Sequence, residues 1–132
     1  MTDASFAAAL AAIRFDDSGT EFETARSVTA TETVGAGLAA RARESGATAV
    51  ASLVRADDAV LAHVVARELG VPRATIEEDL GLLTLSPRLP DGSRVAFVGL
   101  ARLSERDLAA ALTLLEGAGH TLTAPLFAAS LQ

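Results

Sequence analysis

A handful of charged side chains carries whatever chemistry this 132-residue sequence can do. Asp57 and Asp58 are adjacent acids, and Glu77-Glu78-Asp79 form a second acidic run. Paired carboxylates suit general acid–base catalysis or cation binding. The same acids also suit the start of a helix, where an anion gains about 0.3–1 kcal/mol, or a solvated loop. Asp57, Asp58 and Glu78 are the acid–base candidates on this reading. Arg55, Arg102 and Ser104 are the candidates for holding a ligand. Arg55 follows an expected strand directly, and Arg102 and Ser104 lie in a loop ahead of an expected helix. A salt bridge from Arg55 to Asp57 or Asp58 is the competing expectation. His63 and His120 are too far apart in sequence to suggest a zinc site. His63 falls on the flank of a helix, His120 receives no role, and no metal site is expected.

Composition removes several kinds of function. There is no Cys, which excludes a thiol nucleophile, a disulfide and thiolate metal sites. All 11 basic residues are Arg, so Schiff-base chemistry and a lysine phosphate clamp are absent. Trp and Tyr are missing and only 5 Phe remain, too few for a base-stacking surface. The net charge of −6 opposes binding to a phosphate backbone, so no nucleic-acid partner is expected. Asp3 and the lack of early positive charge speak against a signal peptide. No apolar run reaches membrane-spanning length. The expected setting is the cytoplasm with no membrane association. The Arg-only, Ala-rich composition suggests a high-GC bacterial source.

The elements that must position these residues follow from periodicity. One domain is expected over 1–132, with half of its residues hydrophobic. Ser5 to Ile13 reads as a first helix capped by Ser5, with Phe6, Leu10 and Ile13 on one face. Ser18-Gly19 reads as a reversal. Glu21 to Thr29 alternates apolar and polar residues, which predicts a strand. Thr31 to Glu44 predicts a helix stopped by Gly46, although Gly35 and Gly37 weaken it. Thr48 to Val54 reads as a strand that is apolar on both faces, as one covered on both sides would be. A helix is expected from Asp57 or Asp58 to Leu69, with Val60, Leu61, Val64, Val65 and Leu69 inward and Gly70 at its end. Arg73 to Glu77 predicts a short strand. Glu78 to Asp91 reads as a loop or a β-excursion, and its apolar run Leu80 to Leu85 as a partner surface or an additional strand.

The last third has the clearest pattern. Asp91-Gly92 signals a turn, and Val95 to Val98 form a second apolar run. Ser104 is an expected N-cap for a helix carrying Leu108, Ala111, Leu112, Leu115 and Ala118 at helical spacing. Thr121 to Ala128 then reads as the next strand, an edge or late element because Pro125 has no N–H to donate to a ladder. Strand–helix alternation of this kind gives an α/β fold: a parallel sheet of about 4–5 strands flanked by helices. Its crevice lies at the carboxyl ends of the strands.

The sequence resembles the type I phosphoribosyltransferases, most closely the orotate phosphoribosyltransferases, in a reduced size. Three stretches carry the resemblance: Ile13–Glu23, Thr48–Pro72 and Leu89–Leu122. The last is similar to the strand and helix that bear the family's phosphoribosyl-pyrophosphate motif. In that motif four apolar residues precede two acids that bind ribose hydroxyls. Here Val95–Val98 supply the apolar part, and Gly99 and Leu100 stand at the acid positions. The family's hydroxyl-rich phosphate loop corresponds to Leu103-Ser104-Glu105, of which Ser104 alone keeps a hydroxyl. The pyrophosphate loop keeps Arg55, while Ala56, Asp57 and Asp58 replace its glycines.

Charge decides what the resemblance implies. Asp57, Asp58, Glu77, Glu78, Asp79 and Glu105 face Arg55, Arg73 and Arg102 across the expected crevice. A polyanionic donor needs cations and aligned amides, and this balance opposes it. The expectation is a phosphoribosyltransferase-like protein that has lost phosphoribosyl transfer. It would act as a binding or regulatory subunit with a small-molecule ligand or a protein partner, and as a homodimer, as family members commonly do. One alternative is a repurposed enzyme of a specialised biosynthetic pathway that uses crevice carboxylates as general acid and base. The other is a residual, orotate-like phosphoribosyltransferase, the one case that brings in magnesium. Otherwise no cofactor is expected.

Overall fold

In the computed structural model, residues 3–15 and 21–131 are described. Phe6 and Leu10 lie one helical turn apart, and both are buried on the inner side of α1 (Asp3–Ala12). The helix begins before Ser5, which sits in the first turn rather than capping it. The expected Ser18-Gly19 reversal lies outside the described residues.

Glu21 to Thr29 is not a strand. Phe22 makes a single antiparallel bridge to Arg14, and Thr24–Arg26 form a 3-10 turn. The alternation reflects a turn that buries Phe22 and Thr24, not a ladder. Ser27 then accepts a hydrogen bond from the Ala30 N–H and caps α2 (Val28–Glu44). α2 starts earlier than expected and runs through both glycines. Gly35 has a packing reason: any side chain there would collide with Val64 of the neighbouring helix.

β1 (Ala49–Leu53) is buried over nearly its whole length and leads into α3 (Ala56–Leu69). Leu61, Val64 and Val65 face inward as the spacing requires, whereas Val60 is exposed. Gly70 ends α3 in the left-handed region with φ of 69°. β2 (Arg73–Asp79) runs two residues further than the sequence suggests and turns at Leu80-Gly81 into β3 (Leu82–Ser86). Both turn residues have positive φ, 52° and 82°. This is the twist-matched two-residue hairpin. The apolar run is therefore a strand whose Leu83 and Leu85 turn inward while Leu80 and Leu82 stay exposed.

β4 (Arg94–Gly99), α4 (Glu105–Gly117) and β5 (Thr121–Phe127) follow, and a 3-10 turn over Ala128–Ser130 comes after them. Ser104 caps α4 by accepting from the Asp107 N–H at 3.1 Å. His120 is buried, and its Nδ1 accepts from the Ser93 N–H at 3.2 Å, which ties the end of α4 to the start of β4.

The sheet has the order β3-β2-β1-β4-β5, with β3 antiparallel and the other strands parallel. Pro125 lies on the edge strand β5, as its missing N–H demands. The chain moves outward from β1 to β2 through α3, and outward the other way from β4 to β5 through α4. Crossovers of one hand in opposite directions must place their helices on opposite faces. Accordingly α1, α2 and α3 share a core with Val50, Ala96 and Val98. Ala111 and Leu115 of α4 pack with Ala51, Ile76, Val95 and Phe97 on the other face. Among the described residues no helix is long and apolar enough to cross a membrane.

Candidate functional site

The strand order reverses between β1 and β4, and ligands of open α/β sheets bind outside the carboxyl ends at that point. Two segments leave the sheet there: Val54-Arg55 into α3, and Leu100 to Ser104 into α4. β1 ends at Leu53 and β4 at Gly99, and the chain leaves the sheet from these two neighbouring ends.

The α3 face holds a cavity of about 240 Å³ lined by Phe22, Arg55, Asp57, Asp58, Leu100 and Ala101, among others. α3 begins at Ala56, so Asp57 and Asp58 sit inside its first turn and neither is the cap. Each reaches across to another element. Asp57 Oδ1 accepts from the Thr24 N–H at 3.0 Å and from the Thr24 hydroxyl at 2.6 Å. Asp58 Oδ1 accepts from the Leu100 N–H at 2.9 Å. Burial raises the Asp58 pKa above the ordinary aspartate value, while the Leu100 hydrogen bond and then the charge of Arg55 pull against it. Gly99 is approached closely as well. A side-chain carbon there would lie 3.2 Å from the Phe127 ring and 3.6 Å from Asp58 Oδ1.

On the α4 face a larger cavity of about 520 Å³ opens between the β2–β3 hairpin and α4. Leu53, Ile76, Leu83 and Ala111 form its apolar floor, and Arg55, Glu78, Arg106 and Asp107 bring charge to its lining. Glu78 follows Ile76 by two residues, so strand alternation aims both at this face.

The structure thus divides the expected crevice in two. Arg55 lies between the halves and lines both. Asp57 and Asp58 belong to one half and Glu78 to the other. Arg55 makes no salt bridge with either aspartate among the described residues; its influence on Asp58 is through space. Arg102 is exposed and, like Ser104, lines neither cavity. Sequence reasoning missed Arg106 and Asp107. Their signal was available: they follow the Ser104 cap by two and three residues, in the first turn of a helix that starts at a strand end.

No family model and no curated protein matches the sequence. Solved structures do match its shape. Adenine phosphoribosyltransferase from Trypanosoma brucei, solved with AMP, pyrophosphate and ribose-5-phosphate, aligns with a TM-score of 0.69 at 13% identity. That alignment covers 92% of this chain and 66% of the other. Orotate phosphoribosyltransferase from Aeropyrum pernix aligns at 0.64 and 17% identity, over 92% of this chain and 76% of that one. Purine phosphoribosyltransferase from Pyrococcus horikoshii aligns at 0.55 and 15% identity, over 76% and 70%. With the same kind of sheet recovered over most of its length against three such enzymes, the chain has a type I phosphoribosyltransferase-like fold.

Proposed function

We propose that this protein keeps the phosphoribosyltransferase frame without carrying out phosphoribosyl transfer, and that it acts as a binding or regulatory subunit. The hydrogen bond from the Leu100 N–H to Asp58 carries the reading. Phosphate groups are held by free amides and cations at strand ends and helix starts. Here the chain's own carboxylate takes the amide at one of the two positions where the resemblance places a ribose-binding acid. A side chain at the other, Gly99, would press on the Phe127 ring and touch Asp58. Ser104 is engaged as the cap of α4, whose first turn adds the acids Glu105 and Asp107. Calorimetric titration with phosphoribosyl pyrophosphate and magnesium at millimolar concentration is expected to give no binding heat. Saturable binding there would overturn the proposal and restore a residual transferase with its magnesium.

The subunit role is supported by the hairpin tip. Leu80 is 97% exposed and Leu82 71% exposed. Leu80 also occupies a left-handed conformation that costs a side chain about 1–2 kcal/mol. An apolar residue held there at such cost fits a contact surface, in a homodimer or with a protein partner. Light scattering is expected to find an assembly that Leu80→Asp dissociates; a monomeric wild type would remove this part of the reading. One observation favours a repurposed enzyme instead: Asp58 lines a cavity at the strand ends, and burial raises its pKa above the ordinary aspartate value. An Asp58→Asn variant that retains every turnover of the wild type would eliminate that second reading.

A further inference from the structure

The larger cavity carries charge of both signs. Arg55 and Arg106 oppose Glu78 and Asp107, and these four formal charges cancel at neutral pH. None of the four side chains takes part in an ion pair or a side-chain hydrogen bond among the described residues. This contrasts with Asp57 and Asp58 nearby, whose carboxylates are both used inside the chain. The floor is apolar, with Ile76 at 1% and Ala111 at 2% exposure forming a base that water barely reaches. The cavity's 520 Å³ lies within the range of roughly 300–1,000 Å³ typical of small-molecule sites.

Three classes of ligand can be compared on these charges. A polyanion meets Glu78 and Asp107 inside the cavity and a chain of net charge −6 around it, so approach is repelled. A simple cation gains from the two acids and loses to the two guanidiniums. A molecule with a carboxylate and an ammonium group on one end, and an apolar substituent on the other, suits every part of the lining. Its carboxylate takes the planar forks of Arg55 and Arg106, which bind such groups in bidentate fashion. Its ammonium faces Glu78 and Asp107, and its substituent covers Leu53, Ile76 and Leu83. Because such a ligand carries no net charge, the field of the whole chain does not oppose it.

We infer that the groove between the β2–β3 hairpin and α4 is a binding site for a small zwitterion with an apolar side chain, of the α-amino acid type. The inference rests on the reading that this crevice no longer serves phosphoribosyl pyrophosphate. Titration of the intact protein with L-leucine, followed by calorimetry and by amide chemical shifts, tests it. Leucine is expected to bind saturably and to shift amides of Leu53, Ile76, Leu83 and Ala111. 4-Methylpentanoate, which lacks the ammonium, and 3-methylbutylamine, which lacks the carboxylate, are each expected to bind about tenfold more weakly. Arg106→Ala and Glu78→Gln are expected to weaken leucine by a similar factor with unchanged circular dichroism, since both side chains are exposed. Absence of leucine binding overturns the inference. So do equal binding of 4-methylpentanoate and undiminished binding in both folded variants. Binding of phosphoribosyl pyrophosphate with magnesium, titrated separately, would instead overturn the loss-of-transfer reading, so the two failures are distinct.

Discussion

The two faces of the sheet are covered unequally. Among the described residues three α-helices lie on one face and α4 alone lies on the other. On the thick face polar groups hold the fold to itself: Asp57 fastens Thr24, Asp58 fastens Leu100, and Thr31 donates to the Thr24 carbonyl. On the thin face α4 alone packs against the β2–β3 hairpin, and a groove remains beside it with its charges unspent. Polar groups near a strand end either build structure or stay available to a ligand, and this molecule assigns the two tasks to opposite sides of one sheet.

The largest effect that tests this contrast comes from paired truncations. Leu38, fully buried on the thick face, is expected to cost about 2–5 kcal/mol as Leu38→Ala in urea unfolding. Leu83→Ala on the thin face is expected to cost roughly half of that or less, because the groove already exposes part of its surface. Equal costs would mean that the thin face is packed as fully as the other.

A middle-sized effect concerns Asp58. Asp58→Ala leaves the Leu100 N–H unpaired and is expected to cost about 1–3 kcal/mol. Asp58→Asn keeps an acceptor and removes the buried charge. The folded pKa of Asp58 is raised, so its contribution to stability is full below the unfolded value and is lost as pH rises through the folded one. Asp58→Asn should therefore gain on the wild type as pH climbs from about 4 toward neutrality. Parallel stability curves across that range would show that the aspartate is not desolvated.

The smallest effect lies on the surface of the thick face. Arg67 forks onto Glu32, joining α3 to α2, and also meets Glu68. The Arg67 hydrogen bond lowers the Glu32 pKa. A lowered folded value gives stability that is present above the unfolded pKa and lost as pH falls through the folded one. Arg67→Gln should flatten this acid-side dependence and change stability little otherwise, with the difference shrinking as salt is added.

The sequence carried the fold further than the site. β1 and β4 were legible because strands buried on both faces carry apolar runs, here Ala49–Ala51 and Val95–Val98. The β2–β3 hairpin was harder, since its acidic end and leucine-rich tip disguise the alternation at Leu83 and Leu85. Glu21 to Thr29 misled because burial of Phe22 and Thr24 in a turn mimics a strand's period. Arg55, Asp58 and Glu78 could be placed at strand ends by counting. Their separation into two cavities could not, because it depends on which face each crossover helix covers. The partners of Asp57 and Asp58 lie 33 and 42 residues away, beyond the reach of any local pattern. Arg106 and Asp107 were missed because only the packing of α4 against the hairpin brings them beside Glu78.

The hydrogen bond between Asp58 and Leu100 also bears on how this chain can change over generations. Under the proposed reading, an acid placed at Gly99 meets Phe127 and the Asp58 carboxylate. An acid placed at Leu100 would have to leave the apolar core. Removing Asp58 alone sacrifices the bond without supplying a site. Each single step back toward a phosphate-binding crevice loses something before anything is regained. A lineage carrying this arrangement therefore finds new ligands on the thin face more readily than it recovers the old one at the strand ends.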